Sequence, residues 1–280
     1  MTKQIMVGGV PIGGGAPVTI QSMTNTRTDD VEATLHQIRT LAAAGCEIIR
    51  VAVPDMAAAK AVGKIKEESP IPVVVDIHFD YKLALEAIAA GADKVRINPG
   101  NIGGADHVKA VAQACARRGV PIRIGVNGGS LEKPLLAKYG GVCPEAMVES
   151  AFGHIRLLNQ FDFDDICVSL KSSSVPMTMK AYRLMSQASD YPLHIGVTEA
   201  GTVRMGTLKS AVGIGGLLAL GIGDTMRVSL SADPVEEVYA AKEILKAAGV
   251  RKEGAELVSC PTCGRTRIDL IALANEVEER

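Results

Sequence analysis

The sequence carries almost no net charge, because 30 Lys and Arg residues are balanced by 31 Asp and Glu residues. Such a balance gives no overall electrostatic attraction to nucleic acid or to an anionic membrane, so any anion site must be local. No apolar run is long enough to span a bilayer, and glycines and prolines interrupt residues 1–18 before the apolar core of a signal peptide can form. These absences predict a soluble cytoplasmic protein that binds neither nucleic acid nor a membrane.

A disulfide framework is also lacking. Six cysteines are present, but four are scattered singly at positions 46, 115, 143 and 167 of a large chain without an export signal. Cys46 and Cys167 lie in apolar stretches, which favours buried positions. Only Cys260 and Cys263, in "SCPTCGRTR", have the spacing of metal ligands. A zinc site would need a second pair and a redox dithiol would need a thioredoxin-like context, and neither is found in the sequence.

The chain has no low-complexity tract or flexible linker; short apolar runs alternate with helix-like stretches instead. The helical stretches begin with polar capping residues and often end in a glycine, namely Gly45, Gly91, Gly119 and Gly221. Eight apolar runs suit parallel strands buried on both faces, and they begin at residues 18, 48, 73, 94, 121, 166, 193 and 225. This pattern predicts an α/β fold, a (β/α)₈ TIM barrel. A doubly wound open sheet is the alternative, but it usually has fewer units and needs a switch in strand order.

Three segments lie outside the repeating pattern. "QIMVGGVPIGGG" predicts a small N-terminal hairpin that plugs the barrel floor, and "SLEKPLLAKYGGVCP" predicts an elaborated loop beside the catalytic face. The glycine-rich "AVGIGGLLALGIGD" is a weak match to a dinucleotide loop, because no strand leads directly into it. Close helix packing at Gly213, Gly215 and Gly216 explains these glycines better. A phosphate role for the seventh loop, "EAGTVRMG", stays open.

Polar residues recur at intervals of two within the predicted strands and fall toward their C-terminal ends, which form the catalytic face of a TIM barrel. These residues are Asp76 and His78, Arg96 and Asn98, Arg123 and Asn127, Ser169 and Lys171, and Arg227 and Ser229, with Arg50 and Glu199 in comparable places. A single charge in such a position is more often part of a structural ion pair than of a ligand site. Four of the five histidines lie elsewhere: His36, His107 and His154 are expected on helix surfaces and His194 in a structural position.

Five cations nevertheless outnumber two carboxylates in this set. We call Arg50, Arg96, Arg123, Lys171 and Arg227 the cation ring. Leaving a desolvated cation unpaired is costly, so the surplus over Asp76 and Glu199 predicts an anionic ligand. Because arginine binds phosphate oxygens with two parallel hydrogen bonds, a phosphorylated and in particular a diphosphorylated substrate fits best.

A set of motifs closely resembles the bacterial 4-hydroxy-3-methylbut-2-enyl diphosphate synthase family, from residue 4 to the end and in the same order. The motifs are "VPIGGGAPVTIQSMTNTRTDD", "DIHFDYKLAL", "RINPGNIGG", "RIGVNGGSLEK", "GVTEAGT", "GIGDTMRVSLSADPVEEV" and "SCPTCGRTR". The resemblance implies a substrate-binding TIM barrel over residues 1–255 and, over residues 256–280, the beginning of a smaller domain that holds a 4Fe–4S cluster.

The resemblance also implies a reaction and roles for residues. Members of the family open the ring of 2-C-methyl-D-erythritol 2,4-cyclodiphosphate and remove a hydroxyl group with two electrons from flavodoxin or ferredoxin. The cation ring and Ser229 are then expected to contact the diphosphate, Asn98 and Asn127 to hydrogen-bond the ligand, and His78 to belong to the site. Glu199 is similar to the family's proton donor, and Asp76 is expected to support it.

Cys260 and Cys263 match the family's first two cluster ligands. The remaining ligands come from a "GCxxNGPGE"-like stretch that this sequence does not contain. Two thiols alone are not expected to hold the cluster, so this 280-residue chain is expected to be inactive by itself, and a homodimer is expected only of a longer chain. Two alternatives therefore stay open: a redox-inactive barrel that binds a diphosphate, and a barrel enzyme like dihydropteroate synthase.

Overall fold

The computed structural model describes residues 1–98, 100–252, 255 and 257–279. It divides into two compact units, Met1–Val250 and Arg251–Arg280. Strands fall in the first unit, and they are β1 Ile5–Val7, β2 Val10–Ile12, β3 Thr19–Met23, β4 Ile48–Ala52, β5 Val73–Asp76, β6 Lys94–Ile97, β7 Ile122–Asn127, β8 Ile166–Lys171, β9 His194–Ile195 and β10 Thr225–Met226.

Helices follow the barrel strands. They are α1 Val31–Ala44, α2 Met56–Glu68, α3 Tyr81–Ala89, α4 Ala105–Arg118, α5 Lys133–Tyr139, α6 Pro144–Asn159, α7 Val175–Ala188, α8 Val203–Ser210, α9 Gly216–Ala219, α10 Pro234–Ala247 and, in the second unit, α11 Leu270–Glu279. None of the helices in the described ranges is both long and apolar enough to cross a membrane.

The strands β3 to β10 form one parallel sheet in the order β8-β7-β6-β5-β4-β3-β10-β9. A parallel bridge between Val168 and Leu193 brings β8 beside β9, so the sheet returns on itself. The predicted TIM barrel is therefore confirmed and the open sheet is excluded. The last two strands are shorter than predicted, because ladder pairing stops at Ile195 and Met226 while the chain continues along the barrel wall, where Arg227 N still donates to Ile195 O at 3.1 Å.

Local sequence explains where the helices begin and end. The Asp30 and Asp55 side chains accept hydrogen bonds from the backbone N–H groups of Ala33 and Ala58, which satisfies donors that the first helical turn leaves free. Gly45 and Gly119 end α1 and α4 in the left-handed conformation that a glycine adopts without strain.

The N-terminal hairpin closes one end of the barrel, as predicted. Ile5, Val7 and Ile12 from the hairpin are buried in a small apolar cluster with Ile48, Val74 and Cys167 from the barrel strands. The main core lies between the strands and the helices and is a separate cluster. The floor of the barrel is therefore sealed largely by apolar side chains.

Two of the other irregular segments also take definite forms. The predicted loop after β7 contains α5, a short helix that ends at Gly140. The glycine-rich segment forms a π-helical turn, Ala211–Gly215, that continues α8 into α9. A Cβ on Gly213 would lie 2.7 Å from Val197 Cγ2 and one on Gly216 would lie 2.8 Å from Met179 Cε. These glycines therefore allow close packing, as expected.

Candidate active site

Nine of the predicted site residues surround one pocket of about 160 Å³ at the C-terminal ends of the barrel strands. Ser169 and Thr198 complete its lining. The nine are Arg50, Asp76, His78, Arg96, Arg123, Asn127, Lys171, Arg227 and Ser229.

Strand alternation and register bring these side chains together. Asp76 pairs with Arg96 in the neighbouring strand, and Arg96 pairs in turn with Arg123. The three side chains therefore point into the barrel on neighbouring strands. One strand further, Asn127 pairs with Lys171 at a higher level. Burial is nearly complete for Arg123, which is 1% exposed.

Two glycines make room for the cations. A Cβ on Gly125 would lie 2.5 Å from Arg96 Nε, and one on Gly196 would lie 2.8 Å from Lys171 Nζ. Both glycines occupy inward positions of the barrel wall, in "RIGVN" and "HIGVT". Their lack of a side chain lets the long cationic side chains fold across the barrel interior.

We expect Gly125→Ala to weaken binding of a diphosphate about tenfold, or about 1.4 kcal/mol. The added methyl group would displace the Arg96 guanidinium and break its 3.0 Å hydrogen bond to Asp76. Calorimetric titration with inorganic pyrophosphate measures the effect. Gly153→Ala on α6 is the matched control, since a Cβ there meets nothing within 4 Å. Unchanged affinity in a folded Gly125→Ala protein would contradict this packing argument.

Asp76 is the anionic centre of the pocket. Its Oδ1 accepts a hydrogen bond from Arg96 Nη1 at 3.0 Å, and its Oδ2 lies 3.6 Å from Arg50 Nε and 3.8 Å from His78 Nε2. Burial opposes ionisation of this carboxyl, but Arg50, His78 and Arg96 outweigh burial and hold its pKa well below the usual range. Asp76 is therefore a carboxylate that orients two arginines, not a proton donor at neutral pH.

Arg227 is paired with a carboxylate that the sequence analysis did not include. Its Nε and Nη2 both donate to Glu237 of α10, each at 3.1 Å, and Glu237 is 4% exposed. Glu237 also accepts hydrogen bonds from Ser22 Oγ and Leu230 N. This bidentate pair fixes the guanidinium beside the pocket. In the sequence, Glu237 belongs to an amphipathic helix with several acidic residues, and no local signal marks it as the one that faces inward.

Apart from the 3.6 Å contact between Arg50 and Asp76, the remaining cations have weak acceptors or none. Arg50 rests against the Met23 sulfur, with Nη2 at 2.9 Å from Sδ, and a thioether is only a weak acceptor. Arg123 donates to Gln21 Oε1 at 3.3 Å, while its Nε has no partner among the described residues. Lys171 Nζ lies 3.5 Å from His194 Nε2. The pocket therefore presents unsatisfied donors to a ligand.

Crowding of positive charge changes the proton affinities of the buried groups. Burial, reinforced by repulsion from Arg123 and Arg50, lowers the pKa of Lys171 well below its ordinary value. Burial and the nearby Arg123 and Lys171 also lower the pKa of His194, so its imidazole is neutral at pH 7. Burial and Arg96 lower the pKa of Arg123 to about 10. Burial is the largest cause of each shift, and an anion in the pocket would relieve the part that comes from repulsion between cations.

Two predicted residues lie outside the pocket lining. Asn98 follows β6 and accepts a hydrogen bond from Gly100 N at 3.1 Å. Glu199 follows the pocket-lining Thr198, is exposed, and makes no ion pair with the cation ring in the described part of the chain. Its φ of 51° is unusual for a residue with a side chain. Because such a conformation costs of the order of 1–3 kcal/mol, it is concentrated at functional sites.

Two interior residues lie outside the set predicted from the sequence, and one histidine differs from its predicted position. Thr198 lines the pocket, and Lys94 is fully buried two residues before Arg96. The interval of two would have identified Lys94. The prediction that His154 lies on a helix surface is wrong: its side chain is buried, its Nε2 lies 3.0 Å from Glu132 Oε1, and it fills the space beside Gly100.

The cysteines do not form a complete metal site in the described ranges. Cys46, Cys115 and Cys167 are buried in the first unit, whereas Cys260 and Cys263 are exposed in the second. Hydrogen bonds from the backbone and side chain of Arg265 lower the pKa of Cys263, which favours a thiolate. No cluster of three or more metal-binding side chains is found in the part of the chain that the structure describes. Cys260 and Cys263 can thus supply two ligands, which is fewer than a cluster requires.

Known proteins that are similar to this chain have the same barrel domain and are named for a diphosphate product. The family model described as "GcpE TIM-barrel domain" matches residues 2–242. The 4-hydroxy-3-methylbut-2-en-1-yl diphosphate synthase (flavodoxin) of Geobacter sulfurreducens is 63% identical over 279 residues, which cover 100% of this chain and 79% of that protein. The protein of the same name from Ruminiclostridium cellulolyticum is 60% identical over 277 residues, 99% of this chain and 78% of that protein.

A solved structure of another enzyme shares only the fold. Dihydropteroate synthase from Yersinia pestis superposes with a TM-score of 0.60 over 90% of this chain and 100% of that one, at 14% identity. Such low identity gives no support to a dihydropteroate synthase activity. Sequence identity near 60% over the whole chain does decide the family. The chain belongs to the 4-hydroxy-3-methylbut-2-en-1-yl diphosphate synthase family, and its barrel is a GcpE TIM-barrel domain.

Proposed function

We propose that the chain is the substrate-binding barrel of an enzyme that converts 2-C-methyl-D-erythritol 2,4-cyclodiphosphate into 4-hydroxy-3-methylbut-2-enyl diphosphate, a step of isoprenoid biosynthesis. One observation carries the proposal: the cation ring converges on a single pocket at the catalytic face, where donors exceed acceptors. A cyclic diphosphate supplies the missing acceptors and the missing negative charge. Membership of the family named for this product supports the choice of substrate.

Different site residues contact different parts of the ligand. Arg50, Arg96, Arg123, Lys171 and Arg227 bind the phosphate oxygens, with Ser229 donating a further hydrogen bond. Asn98, Asn127 and His78 hydrogen-bond the rest of the ligand. Asp76 and Glu237 hold three of the guanidinium groups in place before the ligand arrives, so little ordering is needed on binding.

Removal of a hydroxyl group as water requires a proton source near the departing oxygen. We assign this role to Glu199, on the loop that follows β9, while the ionised Asp76 supports the site by orienting Arg50 and Arg96. The same cations stabilise the negative charge that develops on the diphosphate when the ring C–O bond breaks.

The reaction also consumes two electrons, which none of the pocket side chains can provide. We propose flavodoxin or ferredoxin as the donor, in line with the relatives' name, and Cys260 and Cys263 as two of the ligands of a 4Fe–4S cluster. A cytoplasmic location and a homodimer of the complete enzyme belong to the same proposal. Counting iron per chain after anaerobic reconstitution tests the ligand assignment, on a chimera that continues into the C-terminal segment of the Geobacter relative. Cys260→Ser and Cys263→Ser variants of the chimera should each hold less iron than the unchanged chimera.

Binding of the cyclic diphosphate to the barrel can be tested without turnover. We expect Arg123→Ala to weaken binding by about 1.5–3 kcal/mol, the range for a hydrogen bond to a charged group. Calorimetric titration of the chain with the cyclic diphosphate measures this loss, and circular dichroism checks the fold. Arg118→Ala on exposed α4 is the control, because it removes the same charge far from the pocket. Equal affinities for Arg123→Ala and the unchanged chain would rule out the proposed anion site.

A further inference from the structure

Lys94 lies in the barrel interior below the pocket. It pairs in register with Val74, which belongs to the apolar cluster at the floor, and it precedes Arg96 by two residues on the same face of β6. The side chain is fully buried, and Nζ has no hydrogen-bond partner among the described residues. A buried ammonium group without a partner destabilises a fold, so the presence of one here calls for a functional explanation.

Lys94 is surrounded by groups that do not compensate its charge. Arg50 of β4, Arg123 of β7, Cys167 of β8 and His194 of β9 all interact with it electrostatically. Among them only the Cys167 thiol can become an anion, and burial raises the pKa of that thiol. The nearest interior carboxylate on a neighbouring strand, Asp76, is already shared by two arginines.

Two other donors in the barrel interior also lack acceptors. Gln21 Nε2 and Arg123 Nε, like Lys94 Nζ, are buried and have no partner in the described part of the chain. Burial, with added repulsion from Arg123 and Arg50, lowers the pKa of Lys94 to about 7. In the ligand-free barrel the amine therefore loses its proton in the physiological range.

We propose that Lys94 is a further cation of the anion site, which takes up a proton when the diphosphate binds although it does not touch the ligand. The inference rests on the proposed function, since it needs an anion in the pocket. Negative charge above Lys94 offsets the repulsion from the arginines and raises the proton affinity of the amine. By linkage, the affinity for the anion must fall as the pH rises above the value at which free Lys94 titrates.

Proton uptake is measured by calorimetric titration in two buffers of different ionisation enthalpy, such as HEPES and Tris, at pH 8. Two probes are used: the cyclic diphosphate and sulfate, neither of which gains or loses a proton in this range. The unchanged chain should take up protons, and Lys94→Met should take up fewer, by up to one per chain. Lys109→Met on exposed α4 is the control for the loss of one positive charge. Should Lys94→Met not fold, Lys94→Gln replaces it with the same expectation.

The pH dependence of affinity separates this role from a merely structural one. At pH 7 we expect Lys94→Met to bind the cyclic diphosphate about five- to fiftyfold more weakly, and at pH 9 we expect the two affinities to converge. The ligand-free variant should unfold at an equal or higher temperature, because an unpartnered buried amine has been removed.

The outcomes distinguish an error in the role of Lys94 from an error in the proposed substrate. Binding with identical proton uptake in the unchanged chain and Lys94→Met contradicts the role of Lys94 and leaves the proposed function intact. Sulfate binding with uptake that depends on Lys94, but no binding of the cyclic diphosphate, supports the role of Lys94 and contradicts the proposed substrate. Failure to bind either probe contradicts both.

Discussion

Replacing Asp76 by Asn is expected to lower the free energy of unfolding of the ligand-free chain by about 3–5 kcal/mol, the range for removing one partner of a buried ion pair. The substitution keeps the size of the side chain but leaves Arg50 and Arg96 buried without an anion. Urea unfolding at pH 7 measures the loss. Asp29→Asn is the control, because Asp29 pairs with Arg27 at the surface and the loss of an exposed pair has little effect.

The same variant tests the direction of the Asp76 pKa shift. Since the folded pKa of Asp76 lies below its unfolded value, the stability it contributes is present above about pH 4 and is lost as the pH falls through the folded pKa. The difference in stability between the unchanged chain and Asp76→Asn should therefore be constant from neutral pH down to about pH 5 and shrink in stronger acid.

The response of Asp76→Asn to sulfate is a second test of the role of Asp76. Sulfate should restore part of the stability of Asp76→Asn, because an anion in the pocket replaces the missing carboxylate. An Asp76→Asn variant as stable as the unchanged chain, with no response to sulfate, would show that the two arginines are not held in the barrel by this carboxylate.

The barrel could be predicted from the sequence because its signals are local and repeated. Capping residues such as Asp30, closing glycines such as Gly45 and strands such as "VVVD" recur along the chain, and a closed barrel accommodates eight such units. Inward positions of β5 to β8 followed from alternation alone, since a strand places every second side chain on the same face.

Residues that reach the pocket through tertiary packing could not be predicted. Glu237 is one of several acidic residues of α10, and only the packing of that helix against β3 makes it the partner of Arg227. His154 resembles a surface residue of an amphipathic helix, yet Glu132 from the loop after β7 covers it. In both pairs the two residues lie on different elements, and one sequence gives no information on which acidic residue meets which cation.

The interior of this barrel contains buried donors that lower the stability of the ligand-free fold. Lys94, Arg123 and Gln21 are buried with unsatisfied donors, although an apolar layer like that formed by Ile48 and Val74 would pack without this penalty. The sealed floor keeps the unfavourable layer thin and close to the pocket. The anion that we propose to bind at the strand ends would relieve repulsion both among the pocket cations and at Lys94 below them.

Glu199→Gln is expected to lower turnover by about 10²–10⁴-fold, the usual contribution of a general acid, while leaving substrate binding nearly unchanged. The amide keeps the shape and hydrogen bonding of the side chain but cannot deliver a proton to the departing oxygen. Glu199 makes no ion pair in the described part of the chain, so its loss should not release a buried cation. Its left-handed backbone next to Thr198 is a conformation that is concentrated at functional sites, although Asp162 shares it.

Turnover is measured anaerobically with a chemical reductant on a chimera that continues into the C-terminal segment of the Geobacter relative, of which this chain covers 79%. Affinity is measured separately by calorimetry, so that a loss of binding is not taken for a loss of proton transfer. Glu236→Gln, at an exposed position of α10, is the matched control. If Glu199 acts only as a distant counter-ion of the cation ring, its replacement should leave turnover near normal and binding equal or tighter, and the proton would then have to come from another group at the pocket mouth.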